Sequence, residues 1–274
     1  MVNRHFSGSI VLFKNEYNEV KKAILSFIQR SSYTSLYLID NSPDDRLKNL
    51  KDIGERIVYI HNPHNPGFGS SHNVAIEMSI SKGNQFHFII NPDIHFDDNV
   101  VETMIDFMGN DQSIGMMMPK VLNENGSLQN LPKLLPTPMS IVWRKLGAPR
   151  IFYSNFINKY ELRFVPTDRI YNAPVLSGCF TLLNLAAIKE VGMYDDRFFM
   201  YFEDWDLSRR MHARYKTVYF PTVSVYHGYE SGANKSAKLF KIFLNSAFSY
   251  FNKWGWLFDK ERGEINSNAL KQFR

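Results

Sequence analysis

The chain contains one cysteine, Cys179, in 274 residues, so it has no intramolecular disulfide framework and fits a reducing compartment. It has no run of 18 apolar residues and therefore no predicted transmembrane helix. The first residues pass directly into an apolar strand pattern, without the layout of a signal peptide. These three absences predict a cytoplasmic protein.

An excess of positive charge is also missing from most of the chain. From Ser231 to the end there are eight Lys or Arg residues and three acids, and this difference accounts for the whole net charge of +5. The first 230 residues are therefore neutral overall. Nucleic-acid-binding proteins normally carry a basic face on the main domain, so no nucleic acid partner is expected.

Short apolar runs rich in strand-forming residues alternate with helical patterns along the chain. This alternation predicts right-handed βαβ units and a mostly parallel sheet covered on both faces, and thus an α/β fold. Residues 132–172 contain five prolines and little periodicity, so they predict a long irregular insert of the kind that forms substrate lids. The patterns predict strands at residues 9–13, 36–39, 57–60, 86–90 and 179–183, helices at 16–30 and 70–82, a strand and hairpin at 114–131, and two strands around 218–220 and 223–227.

The segment from residue 198 to residue 210 combines acids with aromatic rings. Glu203, Asp204 and Asp206 lie within four residues, directly after an aromatic run, and Arg209 and Arg210 follow them. An unpaired charge away from water is very costly, so a buried helix does not normally tolerate such acids. The combination predicts acids at the edge of a dry pocket, where their basicity is tuned for proton transfer.

Three polar clusters fall at the ends of predicted strands, where ligands bind in open parallel sheets. Asp40 and Asn41 follow the second strand, and Asp40 fits either contacts to the imide and ribose of a nucleotide or a turn-capping role. The loop at residues 65–69 enters a helix; its glycines allow close approach of a phosphate, although glycine is also common before a helix. Asn73, one turn into that helix, is either a ligand contact or a surface residue.

The third cluster is Asn-Pro-Asp at residues 91–93. Asp93 follows a buried strand and a rigid proline, a position suited to holding a divalent cation. Mg²⁺ and Mn²⁺ prefer oxygen ligands and complete their coordination shell with substrate phosphates. The alternative for Asp93 is a turn or helix-capping acid before Phe96. His227 ends a strand of Val and Tyr residues and is either a second metal ligand or a structural histidine.

Taken together, these clusters resemble an inverting glycosyltransferase of family 2 with the GT-A fold, the Rossmann-like fold of nucleotide-diphospho-sugar transferases. The similarity extends over residues 8–230 and includes Ser177 to Phe180, Pro221 and residues 225–227. The Asn-Pro-Asp cluster and the aromatic run are most similar to the rhamnosyltransferase-like branch, which builds bacterial O-antigen and other surface polysaccharides. The resemblance implies a GT-A domain at residues 1–230, with a nucleotide-sugar-binding half at 1–110 and an acceptor and catalytic half at 111–230, followed by a basic aromatic helical extension at 231–274.

The resemblance also implies a role for each matched residue. Asp204 would be the catalytic base, and Asp93 and His227 would bind Mg²⁺ or Mn²⁺. Asn91 stands where the family has the first acid of its Asp-x-Asp motif, so one anionic ligand is missing. The implied contacts are Asp40, Asn41, Asn65, Gly67, Phe68, Gly69, Asn73, Asn91 and Asp93 on the donor side, and Gly178, Glu203 and Arg210 on the acceptor or orienting side.

The chemistry of sugar transfer needs the groups that this pattern offers. Displacing a nucleoside diphosphate from an anomeric carbon requires neutralisation of charge on the leaving group and a base for the incoming hydroxyl. A cation on Asp93 would supply the first, and the carboxylate of Asp204 would supply the second. With a single base and no second carboxylate nucleophile evident, one displacement with inversion is the simpler mechanism.

The expected function is transfer of L-rhamnose from dTDP-rhamnose to a polyprenyl-diphosphate-linked glycan of a bacterial O-antigen or capsule. One alternative is a UDP-sugar donor (Gal, GalNAc or Glc). Another is a catalytically silent nucleotide-sugar-binding subunit, which the missing acid at Asn91 keeps open. A nucleotidyltransferase would carry a glycine-rich basic loop after the first strand, whereas residues 14–18 contain no glycine.

The C-terminal tail has an aromatic helical pattern with lysines on its other sides. Such a pattern is typical of a helix at the surface of an anionic membrane, and a polyprenyl-linked acceptor would suit a peripheral position on the inner face of the bacterial cytoplasmic membrane. The alternative is packing on the domain or on a partner in a homodimer. The apolar positions are Phe240, Phe243, Leu244, Ala247, Phe248, Phe251 and Trp254.

Overall fold

The computed structural model describes residues 5–29, 33–97, 99–146, 150–228 and 236–274. Strands and helices alternate along the described residues, as the sequence predicts. The strands are β1 (Phe6–Leu12), β2 (Ser35–Asp40), β3 (Ile57–His61), β4 (Phe86–Ile90), β5 (Ile94–His95), β6 (Ile114–Leu122), β7 (Tyr171–Asn172), β8 (Phe180–Asn184) and β9 (Lys216–His227). The helices are α1 (Tyr17–Ile28), α2 (Phe68–Ser81), α3 (Val100–Asn110), α4 (Pro138–Leu146), α5 (Arg150–Tyr160), α6 (Leu185–Val191), α7 (Glu203–His212), α8 (Ala237–Trp254) and α9 (Lys260–Lys271), with a 3₁₀ helix at Lys48–Ile53.

The strands form one sheet in the order β3-β2-β1-β4-β8-β6-β9-β5, with β7 paired to β9. Strands β1 to β4 are parallel, and β6 and β9 run in the same direction, whereas β8 lies antiparallel between β4 and β6. The predicted mostly parallel α/β sheet is therefore confirmed. The carboxyl ends of β1, β2 and β4 meet at one edge, so the polar clusters that follow these strands lie together.

Helices cover both faces of the sheet, and every residue of β1, β2, β4 and β8 is buried. Helix α1 buries Val20, Ala23, Ile24 and Phe27, whose spacing places them on one side of the helix. The ring of Phe27 packs against Phe88 of the sheet at 5.7 Å between centroids. Burying this one apolar face is what fixes α1 against the sheet.

The predicted irregular insert at 132–172 is wrong, because this region contains α4, α5 and β7. Two of its prolines lie outside helix interiors. Pro138 is the first residue of α4, where a proline costs no hydrogen bond, and Pro166 follows α5.

The two strands predicted near the end of the domain are one strand, β9, whose register against β6 shifts between Phe220 and Ser224. Pro221 lies in this shift and has no N–H to pair.

The C-terminal region packs on the rest of the protein along one side of α8. Phe243, Tyr250 and Phe251 form a buried cluster with Phe198 and Phe202 of the acidic-aromatic segment. The opposite side of α8 and the loop after it leave large apolar side chains exposed: Phe240, Leu244, Phe248, Trp256, Leu257 and Phe258. Some of the predicted apolar residues of the tail thus pack on the domain, and the others form an exposed stripe. The domain boundary at residue 230 stays a prediction. None of the described helices has the length and apolarity needed to cross a membrane.

Candidate functional site

A cavity of about 500 Å³ opens where the carboxyl ends of β1, β2 and β4 meet. Its volume is within the range of small-molecule sites. Six of the residues predicted from sequence line it: Asn41, Asn65, Gly67, Phe68, Asn91 and Asp93. The first turns of α8 form part of the wall through Lys238, Leu239 and Ile242. No sequence motif assigns these three residues to the site, because they lie about 145 to 200 positions away from the strand-end motifs.

Asp40 and Asn41 differ in what they offer to this cavity. Both carboxylate oxygens of Asp40 accept hydrogen bonds inside the protein, from Ser42 N at 2.9 Å and from Tyr59 OH at 2.6 Å. The turn-capping interpretation of Asp40 is thus confirmed, and its nucleotide contact stays a prediction. Asn41 donates from Nδ2 to Ser71 Oγ at 2.7 Å, but its buried Oδ1 has no hydrogen-bond partner among the described residues. Asn41 therefore brings an unsatisfied acceptor to a cavity-lining position.

The glycines of the loop at residues 65–69 are explained by close packing. Gly67 has φ of +107°, and a Cβ at this position would lie 2.2 Å from the carbonyl oxygen of Phe199. The next residue, Phe68, donates its N–H to that same oxygen at 2.8 Å. A Cβ on Gly69 would lie 2.9 Å from the Cβ of Tyr194. The loop is thus docked on the acidic-aromatic segment, and its phosphate contact stays a prediction.

Asn73 joins α2 to the chain that precedes this segment. Its Nδ2 donates to Tyr194 O at 2.9 Å, and its Oδ1 accepts from Tyr194 N at 3.0 Å. Asn73 is not among the residues that line the cavity. The contact that the structure describes is therefore a bridge between two elements, while donor binding by Asn73 stays a prediction.

Asp93, which lines the cavity, contacts His227 although the two residues are 134 positions apart in the chain. His227 Nε2 lies 3.3 Å from Asp93 Oδ1 and 3.2 Å from Asn91 Nδ2. The pairing of Ile94 with His227, which joins β5 to β9, brings the end of β9 to this point. The sequence analysis does not assign Gln129, whose Oε1 lies 3.0 Å from His227 Nδ1.

The oxygen of Asp93 and the nitrogen of His227 are ligand types that divalent cations accept. Among the described residues, no group of three or more His, Cys, Asp or Glu side chains could hold a metal ion. Mg²⁺ is usually held by one or two carboxylates together with substrate phosphates, so a complete protein cage is not required. Asp93 and His227 therefore fit as the protein part of a site that diphosphate oxygens complete.

Asp204 lies at the first turn of α7 on the other side of the site. Its Oδ2 accepts the N–H of Gly178 at 3.1 Å, and its Oδ1 accepts that of Trp205 at 2.9 Å. Tyr201 and Phe202, just before α7, have left-handed backbone angles with φ of 70° and 68°. Bulky residues rarely adopt this conformation, and such strain clusters at functional sites.

Burial raises the pKa of Asp204 to about 6, although the N–H of Gly178 and the charge of Lys133 act in the opposite direction. Glu203 is more deeply buried, and its Oε2 has no partner within the described parts of the chain. Burial and, after it, the charge of Asp204 raise the pKa of Glu203 well above its usual range. Burial thus raises the pKa of both neighbouring carboxyls, and raised pKa values in a pair of acids are typical of groups that transfer protons.

The turn at residues 177–179 connects the two sides. Cys179 O accepts the N–H of Asn91 at 2.8 Å, while Gly178 N–H donates to Asp204. A Cβ on Gly178 would lie 3.4 Å from Asp204 Cβ and 3.6 Å from Phe68 Cε1. Phe68 lines the cavity, so Gly178 lies between the cavity wall and the carboxylate.

Helix α7 is held by ion pairs at its buried side. Asp206 is fully buried and accepts from Arg210 Nε at 2.8 Å and Trp254 Nε1 at 2.8 Å, with Lys253 Nζ at 2.7 Å. Asp206 and Arg210 thus form an ion pair one helical turn apart. Arg210 also donates to the carbonyls of residues 191–193, which attaches the preceding loop to α7. No local pattern assigns Lys253 to this role, because it lies 47 positions along the chain from Asp206.

A mostly parallel sheet with an acid-bearing site at its carboxyl edge is the architecture of GT-A glycosyltransferases. The crystal structure of GalNAc-T7 with UDP, GalNAc and Mn²⁺ superposes with a TM-score of 0.64 at 17% identity, over 90% of this chain and 48% of that one. The crystal structure of TarS from S. aureus gives a TM-score of 0.57 at 13% identity, over 97% and 42%. At these identities the likeness shows the fold alone, which is GT-A-like.

The family model for glycosyl transferase family 2 matches residues 9–192, and the chain belongs to this family. The chain is 29% identical over 180 residues to N-acetylglucosaminyl-diphospho-decaprenol L-rhamnosyltransferase of Mycobacterium tuberculosis, covering 60% of this chain and 56% of the relative. It is 25% identical over 211 residues to rhamnosyltransferase WbbL of Escherichia coli K12, covering 73% and 76%. The chain thus spans little more than half the length of the mycobacterial relative. The resemblance to family 2 and its rhamnosyltransferases is confirmed.

Proposed function

We propose that the chain is an inverting glycosyltransferase that moves L-rhamnose from dTDP-rhamnose to a hydroxyl of a lipid-linked glycan. The observation that carries this proposal is the placement of Asp93 and His227 on one side of the turn at residues 177–179 and of Asp204 on the other. A leaving diphosphate and an attacking hydroxyl need groups of these two kinds at opposite ends of one sugar.

The donor nucleotide occupies the 500 Å³ cavity. The buried Oδ1 of Asn41 lacks a partner among the described residues, and the imide N–H of thymine or uracil would satisfy it. Lys238 is the one Lys or Arg among the described cavity-lining residues, and it suits the negative charge of a diphosphate. These features support dTDP and UDP equally, so the UDP-sugar alternative is decided by experiment.

Asp93 and His227 hold Mg²⁺ or Mn²⁺ together with the diphosphate. When bound, the cation neutralises the negative charge that develops on the leaving group. The protein's own contribution is to place an oxygen and a nitrogen ligand 3.3 Å apart at the cavity. Asn91 offers an amide rather than a carboxylate, so metal binding relies more on the donor's phosphates.

Asp204 is the general base. The acceptor hydroxyl attacks the anomeric carbon, its proton passes to a carboxylate oxygen of Asp204, and the bond to the diphosphate oxygen breaks with its electron pair leaving on the diphosphate. A pKa of about 6 keeps Asp204 ionised at neutral pH while leaving it basic enough to accept a proton. Glu203, whose pKa is raised by burial, lies beside it and orients the acceptor. One base and one displacement give inversion.

The exposed stripe of α8 docks on an anionic membrane, which brings the site to a lipid-linked acceptor. Phe240, Leu244 and Phe248 recur every four residues on one side of the helix, and Leu257 and Phe258 are 79% and 96% exposed just beyond it. Exposed Lys238, Lys241 and Lys260 accompany them and complement anionic head groups. The predicted homodimer is the alternative occupant of this stripe.

The function is tested with a panel of dTDP-rhamnose, UDP-Gal, UDP-GalNAc and UDP-Glc, each offered with a polyprenyl-diphosphate-linked GlcNAc acceptor and with Mg²⁺ or Mn²⁺. We expect turnover with dTDP-rhamnose and a product of opposite anomeric configuration, read by NMR. Turnover with a UDP-sugar alone would replace the rhamnose assignment. Donor binding without turnover of any sugar would instead favour the silent binding subunit.

Membrane docking is tested separately by co-sedimentation with phosphatidylglycerol vesicles. We expect the double variant Phe248→Ser/Phe258→Ser to lose vesicle binding, whereas Ile170→Ser, a change at an exposed apolar residue elsewhere, retains it. If the double variant instead changes a dimer to a monomer in size-exclusion chromatography and sediments as before, the stripe is a homodimer surface.

A further inference from the structure

We propose that Gln129 is a positioning residue that fixes the tautomer and the ring orientation of His227, so that Nε2 presents its lone pair to a divalent cation beside Asp93. The inference rests on the metal role proposed above for Asp93 and His227. Gln129 follows the hairpin after β6 and is 8% exposed, and no sequence motif assigns it a function.

The hydrogen bonds of the Gln129 side chain determine which of its atoms faces the ring. Its Nε2 donates to the backbone carbonyl of His227 at 3.1 Å and to Asn123 Oδ1 at 2.8 Å. Both of its N–H groups are thus directed at acceptors. Its Oε1 therefore faces His227 Nδ1, at 3.0 Å.

The proton on the imidazole follows from this arrangement. A carbonyl oxygen can only accept, so His227 Nδ1 is the donor and carries the hydrogen. A neutral imidazole has one N–H, and Nε2 therefore carries the lone pair. Nε2 is the atom that lies 3.3 Å from Asp93 Oδ1 and 3.2 Å from Asn91 Nδ2. The nitrogen that carries the lone pair, Nε2, is thus the one that faces Asp93.

The hairpin holds Gln129 in this orientation. Its backbone N–H donates to Val121 O at 2.9 Å, and its carbonyl accepts from Leu131 N at 2.9 Å. Asn123, which receives one of the Gln129 N–H groups, is itself fixed by donation from its Nδ2 to Ser127 Oγ at 2.8 Å. A side chain that is already ordered loses little entropy when it orients its partner, so the arrangement is present before any metal binds.

The support that Gln129 gives to His227 matters more here than it would in a metal site with two acidic ligands. Asn91 replaces one anionic ligand, so His227 and Asp93 supply most of the protein's share of the binding free energy. Metal-ligating histidines commonly donate their second N–H to a carbonyl or carboxylate, and removal of that partner costs about 10- to 100-fold in metal affinity. A glutamate at position 129 would still accept from Nδ1, whereas a methionine would not.

The test compares Gln129→Met and Gln129→Glu with the wild type and with Gln112→Met, a matched change at an exposed glutamine. Mn²⁺ affinity is measured by EPR of the free ion in the presence of saturating dTDP. The His227 tautomer is measured without metal by two-bond ¹H–¹⁵N NMR. Thermal melting confirms that each variant is folded.

We expect Gln129→Met to weaken Mn²⁺ binding by about 10- to 100-fold and to populate the other tautomer of His227. Gln129→Glu keeps an acceptor for Nδ1 but loses both donations from Nε2, to His227 O and Asn123 Oδ1, so its affinity should fall between those of the wild type and Gln129→Met. Gln112→Met leaves both measurements unchanged. If Gln129→Met does not fold, the wild-type tautomer of His227 decides the proposal.

Two results would overturn the inference alone: a wild-type His227 protonated on Nε2, or a folded Gln129→Met with wild-type Mn²⁺ affinity. A wild-type chain that binds no Mn²⁺ even with dTDP would overturn the proposed metal role, and the inference with it. The failure of the inference and that of the proposed function are therefore distinguishable.

Discussion

The metal side of the site and the base side are built from the chain in different ways. On the metal side, Asn91 and Asp93 follow β4 directly and His227 ends β9, so the sheet itself positions the side chains. On the base side, Asp204 depends on the position of α7, which ion pairs to α8 and to the segment after it hold in place. Because the sheet positions the metal side and a supported helix positions the base side, a substitution can remove the function of one side and leave the other intact.

The electrostatic surroundings of the two sides also differ. Asp93 is partly exposed at the cavity and has His227 and Asn91 as polar neighbours. Asp204 and Glu203 lie in a desolvated environment, and burial raises the pKa of both. Solvated oxygens suit cation and phosphate binding, whereas desolvation provides the basicity that proton transfer needs.

The largest expected effect is a loss of turnover on substitution of Asp204, which should leave the metal side of the site intact. Asp204→Asn keeps the size and the hydrogen-bonding oxygen of the side chain but removes the proton acceptor. We expect turnover to fall by about 10²- to 10⁴-fold, the usual contribution of a general base, while dTDP affinity with Mn²⁺ stays at its wild-type value. Initial rates and isothermal titration calorimetry measure the two quantities. Asp52→Asn, at an exposed position of the 3₁₀ helix, is the matched control.

A parallel fall in turnover and in nucleotide affinity would contradict this separation, since it would mean that Asp204 acts on donor binding. Unchanged turnover would remove Asp204 from the role of base and turn attention to Glu203, the neighbouring acid.

The next largest effect concerns the support of α7. Arg209 and Asp259 form a buried bidentate pair, with Nη1–Oδ2 at 2.7 Å and Nη2–Oδ1 at 2.8 Å. Removing one partner leaves a buried carboxylate short of its counter-charge, so Arg209→Met should lower the free energy of unfolding by about 3–5 kcal/mol. Urea denaturation measures this. The exposed Arg214→Met provides the control, and equal stabilities of the two variants would show that the pair does not hold the C-terminal region.

These two sides also differ in how well the sequence predicts them. Asn41, Asn91 and Asp93 follow predicted strands, and the physical rule that ligands bind at the carboxyl ends of parallel strands is enough to place them at one edge. The mostly parallel α/β sheet follows from the alternation of strands and helices, whereas the GT-A fold is implied by the resemblance to family 2. The prediction succeeds where a local pattern decides the position of a side chain.

The sequence does not predict contacts that depend on distant segments. Lys253 and Trp254 pair with Asp206, Gln129 contacts His227, and Lys238 reaches the cavity, in each case across about 50 to 150 positions of the chain. The prolines near α4 and α5 also interrupt the periodic pattern, so the sequence does not predict these two helices. The pattern correctly singles out the glycine at position 67, although close packing against Phe199 is the contact that requires it.

A smaller effect follows from the pKa of Asp204. This group must be ionised to act as a base, and its pKa of about 6 lies above the usual range of an aspartate. We expect kcat/KM to fall about tenfold per pH unit below pH 6 and to level off above pH 7. The pH profile of kcat/KM measures this, with dTDP affinity followed over the same range to separate the base side from the metal side. A flat profile between pH 5 and pH 8 would contradict the assignment.

The smallest expected effect probes the nucleotide end of the cavity. Asn41 Oδ1 is a buried acceptor without a partner among the described residues, and the N3–H of thymine or uracil would supply the missing hydrogen bond. The wild type should therefore bind dTDP and UDP more tightly than CDP, because cytosine presents an acceptor at N3. Asn41→Ala should weaken dTDP binding about 2- to 10-fold, as expected for one net hydrogen bond, and should narrow the difference from CDP.

Isothermal titration calorimetry with the three nucleotides measures both changes, and Asn268→Ala, an exposed asparagine on α9, is the matched control. Equal affinities of the wild type for CDP and dTDP would contradict the role of Asn41 while leaving the metal side intact. Loss of turnover in Asn41→Ala without loss of dTDP binding would also contradict this role. Asn41 lies on the donor side, so its removal should act through nucleotide binding.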